Sequence, residues 1–322
     1  MPITCVGNPL LGSPDAGTPD GGAISDAAAM TQIIPGTNDG QFLDGPQWLD
    51  ANGAVGGFLV FSEYLQTPRL RKIYPDGGGA AVLRTGGFID APTTPDLAPT
   101  GNSVRNGFVL STVAGTPGNT SSIFQTLIAD GGAGPNIPIG GISSPNDLIV
   151  GKGGQIYFTA PGFQTDNGQG IYQTPPDAGA PSLIAAFPAG DRPNGIAISP
   201  DGTKLYVSFT AVPRVDAYTI APSGVVGTPP AAVVRAADIT DPPDGIAVDV
   251  GGNIYVAEAN ANTGTTTGAV EVFNAAGKKL GKIPFTNDRP TGVAFGGTDK
   301  KALFITGENG VYKFSGRCAG LP

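Results

Sequence analysis

Four stretches of this chain repeat one short pattern, and their spacing constrains the fold more than any other feature. Ser144-Pro145-Asn146-Asp147-Leu148 runs through Gly151-Lys152-Gly153-Gly154 into Ile156-Tyr157-Phe158-Thr159. Arg192-Pro193-Asn194-Gly195-Ile196 runs through Ser199-Pro200-Asp201-Gly202 into Leu205-Tyr206-Val207. Pro243-Asp244-Gly245-Ile246 followed by Ile254-Tyr255-Val256 is a third copy, and Arg289-Pro290-Thr291-Gly292 is a weaker fourth. Each copy reads as a residue presented from a loop, a β-branched strand, a tight turn, and a second strand pairing back on the first. Pro145, Pro193, Pro243 and Pro290 stand 48, 50 and 47 residues apart. A period of this length, with room for about four short strands, is the signature of a β-propeller blade.

The upstream half continues the series less clearly. Phe42-Leu43-Asp44-Gly45-Pro46-Gln47-Trp48 followed by Phe58-Leu59-Val60-Phe61 opens a first blade, and Asn102 to Thr112 with Ser122 to Ile128 supplies a second. Six units result, so the expected fold is an all-β, six-bladed propeller. Trp48 is expected to pack between blades. Residues 1–30 are small, polar and turn-rich and read as an arm, and residues 31–322 as the propeller. Thr31-Gln32-Ile33-Ile34 is a strand suited to closing the last blade, because a ring so closed has no loose seam.

Of 322 residues, 51 are Gly and 31 Pro, which would suggest low complexity without a period; here they fall between apolar runs as turns. Charged residues make up only 14 %, with 18 basic against 26 acidic and a net charge of −8, a balance that argues against nucleic acid and anionic membranes as partners. No apolar run is long enough to span a bilayer, and the N-terminus lacks the charged and apolar regions of a signal peptide. Cys5 and Cys318 lie near opposite ends of the chain. The ends of a propeller meet in its closing blade, so a bridge between them is geometrically natural; two unrelated buried thiols are the alternative. A bridge would place the protein in an oxidising compartment, secreted or periplasmic, with any leader already removed. A monomer is expected.

Innermost strands of a propeller all start at the same end of the central channel, so Asn146, Asn194, Asp244 and Thr291, each just after its proline, should converge on the axis. Taken singly, Pro-Asn-Gly and Pro-Asp-Gly are good turn formers. Their recurrence in one slot of successive blades is what favours a site. Pro75-Asp76-Gly77 and Pro200-Asp201-Gly202 fall between paired strands and read as turns.

These motifs, from Phe42 to Phe314, resemble the SMP-30/gluconolactonase/LRE family of six-bladed propellers, and more distantly the paraoxonases and diisopropylfluorophosphatase. In that family a first-blade Glu-Gly-Pro-x-Trp binds a divalent metal through its glutamate, and two asparagines and an aspartate complete the set. The resemblance therefore implies Asp44, Asn146, Asn194 and Asp244 as metal ligands. Asp44 departs from the family's glutamate by one methylene, and Glu63 on the following strand is a weaker substitute. Some members carry a Glu-His-Gly segment in the second blade that helps bind substrate; Val113-Ala114-Gly115 has no such side chain.

Two carboxylates and two amide oxygens suit a hard cation such as Ca²⁺. The chain has no histidine, so histidine-dependent hydrolytic mechanisms are excluded and zinc is disfavoured. The implied activity is a metal-dependent hydrolase of lactones or related esters, in which the metal polarises the carbonyl and Asp244 acts as both ligand and general base. Asp147 and Asp249 are neighbouring candidates with structural readings, a loop cap and a turn. Two further readings stand: a non-catalytic binding propeller, and a strictosidine-synthase-like condensing enzyme that would use a glutamate in place of the ion.

Overall fold

The computed structural model describes residues 30–35, 42–50, 57–63, 68–74, 79, 81–86, 88, 98–114, 122–142, 144–163, 168–188, 190–259, 267–315 and 319–321. Cys5, Cys318 and the arm before Met30 lie outside the described residues.

Every regular element among the described residues is a strand, and the strands form six four-stranded antiparallel sheets, so the fold is the six-bladed propeller read from the repeats. The first blade holds β2 (Leu43–Leu49), β3 (Phe58–Glu63), β4 (Arg69–Ile73) and β5 (Ala81–Thr85). The second holds β6 (Ala98–Arg105), β7 (Phe108–Ala114), β8 (Ser122–Leu127) and the short β9 (Ile137–Pro138). Asn106 and Gly107, both at positive φ, make the tight turn between β6 and β7.

The third blade contains β10 (Leu148–Val150), β11 (Ile156–Ala160), β12 (Gly170–Thr174) and β13 (Ser182–Ala186), and the fourth β14 (Pro193–Ile198), β15 (Lys204–Phe209), β16 (Arg214–Ile220) and β17 (Val226–Val234). The fifth contains β18 (Pro243–Val248), β19 (Ile254–Ala259), β20 (Gly268–Phe273) and β21 (Lys279–Phe285). The sixth combines β22 (Pro290–Gly296), β23 (Ala302–Gly307) and β24 (Gly310–Ser315) with β1 (Met30–Pro35), which pairs antiparallel with β24. The outermost strand of the last blade thus comes from the start of the described chain and ties the two ends of the ring.

Apolar side chains alternate along the strands and pack between neighbouring blades. Trp48 stacks on Phe304 of the sixth blade with ring centroids 5.3 Å apart, in a cluster that also holds Phe61 and Ile34. Tyr255 meets Phe295 edge-on at 4.9 Å between the fifth and sixth. Pro200-Asp201-Gly202 is the expected turn: Gly202 sits at φ +76° and its N–H donates to the Ser199 carbonyl at 2.8 Å.

Pro193-Asn194-Gly195 and Pro243-Asp244-Gly245 are not turns. They lie within β14 and β18, and in each the pairing register slips between the proline and the isoleucine three residues on. The same slip occurs at Asp44 to Gln47, Pro99 to Asn102 and Pro290 to Gly292. A β-bulge bends its strand and re-aims a side chain, and here it falls on the slot residue of five blades. Glycine follows because the inner strands nearly touch: a Cβ on Gly195 would lie 2.5 Å from the Asp244 carbonyl oxygen, and one on Gly245 2.8 Å from the Gly292 Cα.

Candidate functional site

The five bulged slots and Asn146, just before β10, converge on the axis. Asp44, Thr100, Asn146, Asn194, Asp244 and Thr291, one from each blade, line a single cavity of about 550 Å³ at one face of the ring. Asp44, Asn146, Asn194 and Asp244 also line a second cavity, of about 370 Å³, on the other side. The four residues inferred from sequence therefore stand together as a waist between two cavities. Leu321 lines the second cavity, and its N–H donates to the Val248 carbonyl at 3.2 Å.

Buried hydroxyls hold the slots from blade to blade. Thr100 Oγ1 donates to the Asn146 carbonyl at 2.7 Å, Thr159 Oγ1 to the Asn194 carbonyl at 2.6 Å, and Ser208 Oγ to the Asp244 carbonyl at 2.6 Å. Thr291 Oγ1 donates in the same way to the carbonyl of Leu43, next to Asp44. Four of the six blades thereby fix the backbone carrying the next blade's functional side chain. Part of the signal was present in the sequence as Thr112, Thr159 and Ser208, hydroxyls at one position of otherwise apolar second strands that donate to the Asn146, Asn194 and Asp244 carbonyls.

Three carboxyl groups crowd the waist. Burial pushes Asp44 up to about 7, with the hydrogen bond from its neighbour Gly45 N–H pulling the other way. Burial also raises Asp147 to about 7, opposed by the Ile196 N–H, while the charge of Asp44 adds to the rise. Asp244 is pushed well above the ordinary carboxylate range by burial first, and then by the charges of Asp44 and Asp147. Among the described residues no ion pair reaches any of the three. Buried acids without a counter-charge are costly, and a cation among them removes that cost.

Asn194 completes the case for such a cation. Its Nδ2 donates to Thr210 Oγ1 at 2.9 Å, which fixes the amide, while its Oδ1 is buried with no hydrogen-bond partner. An orphaned buried carbonyl oxygen beside carboxylates without a counter-charge is what an oxygen-ligated cation would occupy. No group of three acidic, histidine or cysteine side chains among the described residues is close enough to hold a metal by itself, so a cation here would need amide oxygens as well.

The remaining candidates have other roles. Glu63 is buried and bonded to Arg69 and Arg71 at 3.5 and 3.4 Å, away from both cavities, so it does not substitute for Asp44. Asp249 accepts the N–H groups of Gly251 and Asn253 at 2.8 and 2.9 Å and anchors a turn. Asp147 does more than cap a loop: its Oδ2 accepts the Ile196 N–H at 3.0 Å, linking the third and fourth blades, and its carboxyl faces the second cavity. In the second blade Val113 is a buried core residue, whereas Asn102 has its amide engaged by Gly45, Ser62 and Ser111 and is structural.

Comparison with known proteins agrees with this architecture. Residues 140–309, which include the three clearest copies of the motif, match the model of the SMP-30/Gluconolactonase/LRE-like region. The chain belongs to the SMP-30/gluconolactonase/LRE-like family. Within that family's reach, a gluconolactonase from Zymomonas mobilis is 27 % identical over 90 % of this chain and 82 % of its own length. The structure of a gluconolactonase from Xanthomonas campestris is 26 % identical, with a TM-score of 0.68 over 91 % of this chain and 93 % of the other. A calcium-binding regucalcin from Agrobacterium tumefaciens shares the fold at 17 % identity, with a TM-score of 0.64 over 90 % of this chain and 97 % of its own.

Proposed function

We propose that this propeller is a lactone hydrolase dependent on a divalent cation, Ca²⁺ by its all-oxygen donor set, with Asp44, Asn146, Asn194 and Asp244 as the ligands. The observation that carries the reading is the orphaned Asn194 Oδ1 among carboxyl groups without a counter-charge at the wall of a cavity. Gluconolactonases of similar sequence and fold, and a calcium-binding neighbour, support it.

A cation held by these oxygens would supply electrophilic stabilisation for the charge developing on the lactone carbonyl oxygen. The chain's own residues do the rest. Asp244 takes a proton from the attacking water, as the carboxylate at the waist that also lines the larger cavity. Asp44 balances charge across the waist, and Asn194 and Asn146 contribute oxygens without adding charge. Phe42, Phe163 and Pro243 line the cavity above and give it apolar surface.

A condensing mechanism would need a free glutamate near the axis, and the glutamate that reaches the cavity, Glu308, is engaged by Arg289. We further propose a location outside the cytosol, on the strength of the terminal cysteines. The test of function is hydrolysis of five- and six-membered lactones by purified protein, with and without chelator: calcium-restorable turnover is expected, and no turnover of any lactone would leave the binding-propeller reading in its place.

A further inference from the structure

We infer that Glu258 and Glu271 are a proton-sharing carboxyl pair that positions Asp244, by latching the segment from Thr240 to Pro243 that carries Asp244 to the axis; the inference rests on the reading of Asp244 as base and ligand. The pair lies in the fifth blade, Glu258 on β19 and Glu271 on β20, and both side chains are fully buried. Opposite the slot proline the second, fourth and sixth blades place Val113, Phe209 and Gly307, whereas the fifth places Glu258, so the fold itself does not require a carboxyl there. Glu63 of the first blade is bonded to two arginines, and no arginine reaches Glu258 among the described residues.

The segment before Asp244 can be held in few ways. Pro242 and Pro243 have no N–H, so its backbone donors are those of Thr240 and Asp241, and Glu258 Oε2 accepts both, at 3.2 and 3.0 Å. The Thr240 hydroxyl donates to Glu271 Oε1 at 2.6 Å, and the Ala259 N–H, next to Glu258, donates to the Pro242 carbonyl at 3.1 Å. Pro242, Pro243, Asp244 and Ala259 all line the larger cavity, so the latched segment forms part of its wall.

Charge calls for one proton between the two acids. The cation that reaches them is Lys279, whose Nζ pairs with Glu271 Oε1, and one cation balances one carboxylate. Glu258 Oε1 and Glu271 Oε2 are buried and find no other partner, and two acceptors can meet only through a proton. Placed on Glu258, that proton makes a hydrogen bond to Glu271 and leaves one negative charge beside one positive. Burial, the charge of Glu271 and the hydrogen bond to it push the Glu258 carboxyl up to about 9, against the Asp241 N–H and Lys279. Asp241 also faces the pair, its carboxyl raised by burial and by Glu271 and lowered by Lys282, and the Asp238 carbonyl accepts from Lys279 at 3.5 Å.

Once the proton is lost to solvent, two carboxylates face one lysine in a buried site. Their repulsion parts the pair, and the N–H groups of Thr240 and Asp241 lose the oxygen that held them. Asp244, three residues beyond Asp241, then leaves its place at the waist.

The experiment follows rapid-mixing hydrogen–deuterium exchange of the 238–244 peptide, and kcat on δ-valerolactone, from pH 7 to 10 with calcium present. Intrinsic exchange and uncatalysed hydrolysis are subtracted. In the wild type, protection of the Thr240 and Asp241 amides and kcat should both fall roughly tenfold between pH 8 and 10. Glu258→Gln keeps the carbonyl acceptor, and its amide donates to Glu271 in place of the proton, so both quantities should stay level over that range. Glu258→Ala removes the latch and should lose protection at every pH, with kcat at pH 7 lower by roughly 10- to 100-fold. Wild-type protection that survives at pH 10, or falls equally in Glu258→Gln, would overturn the latch whatever the activity, and neither comparison needs Glu258→Ala to fold. Protection that responds as expected while kcat does not would overturn the positioning of Asp244 and leave the lactonase reading intact. A wild type that hydrolyses no lactone would overturn that reading, and the role given to Asp244 with it.

Discussion

The Thr159 hydroxyl donates to the Asn194 carbonyl at 2.6 Å across the boundary between the third and fourth blades. That bond sets the height at which Asn194 meets the axis, and it has counterparts at Thr100 with Asn146 and Ser208 with Asp244. The site is thus placed by contacts between blades as much as by the strands that carry it.

Thr159→Val keeps the side-chain volume and removes the donor, leaving the Asn194 carbonyl buried without its partner. A loss of about 1–3 kcal/mol is expected from urea denaturation. Calcium affinity should fall with it, and Thr159→Ser should restore both. Equal stability for the Val variant would show that the relay does not hold the blades.

Asn194→Ala and Asp244→Asn should fail differently. The amide contributes an oxygen but neither charge nor base, so Asn194→Ala should mainly raise the calcium concentration needed for activity. Asp244→Asn retains a ligand oxygen and loses the base, so kcat should fall roughly 10²-fold or more even at saturating calcium. Full turnover by Asp244→Asn with metal bound would rule out Asp244 as the base.

Stability should also depend on pH through a pair away from the axis. Glu258 is buried, and its carboxyl is pushed up to about 9, first by burial and then by Glu271 beside it, with the Asp241 N–H and Lys279 opposing. Below about pH 4.5 the group is protonated both folded and unfolded, and its contribution is fully present. Between there and pH 9 the folded state keeps a proton that the unfolded state releases, so stability falls as pH rises. Glu258→Gln should flatten this slope in denaturation midpoints measured from pH 5 to 9; an unchanged slope would count against the assignment.

The terminal cysteines give a chemical test. Unfolded, unreduced protein should show no free thiol, whereas two titratable thiols would dismiss the bridge and with it the argument for an oxidising compartment.

Much of this was legible in the repeats. A period near 48 residues identified the propeller, and the residue after each proline identified Asn146, Asn194 and Asp244 as neighbours on the axis, which the shared cavities bear out. Asp44 was reached through family resemblance and stands with them. Thr100, the second blade's slot residue, was hidden because Pro99-Thr100-Gly101 is followed by Asn102 rather than an apolar strand. Asp147 was undervalued because its work, holding Ile196 in the next blade, is invisible along a single strand. The partnership of Arg289 with Glu308 spans a hairpin, and only the fold brings the two into one cavity.

The most direct measurement is the metal content and calcium titration of purified wild type beside Asn194→Ala. The account predicts one divalent ion per wild-type chain, removable by chelator with loss of lactone hydrolysis and restored with it, and markedly weaker binding in the variant. A wild type that binds no divalent ion, or a variant that binds it equally well, would contradict the site described.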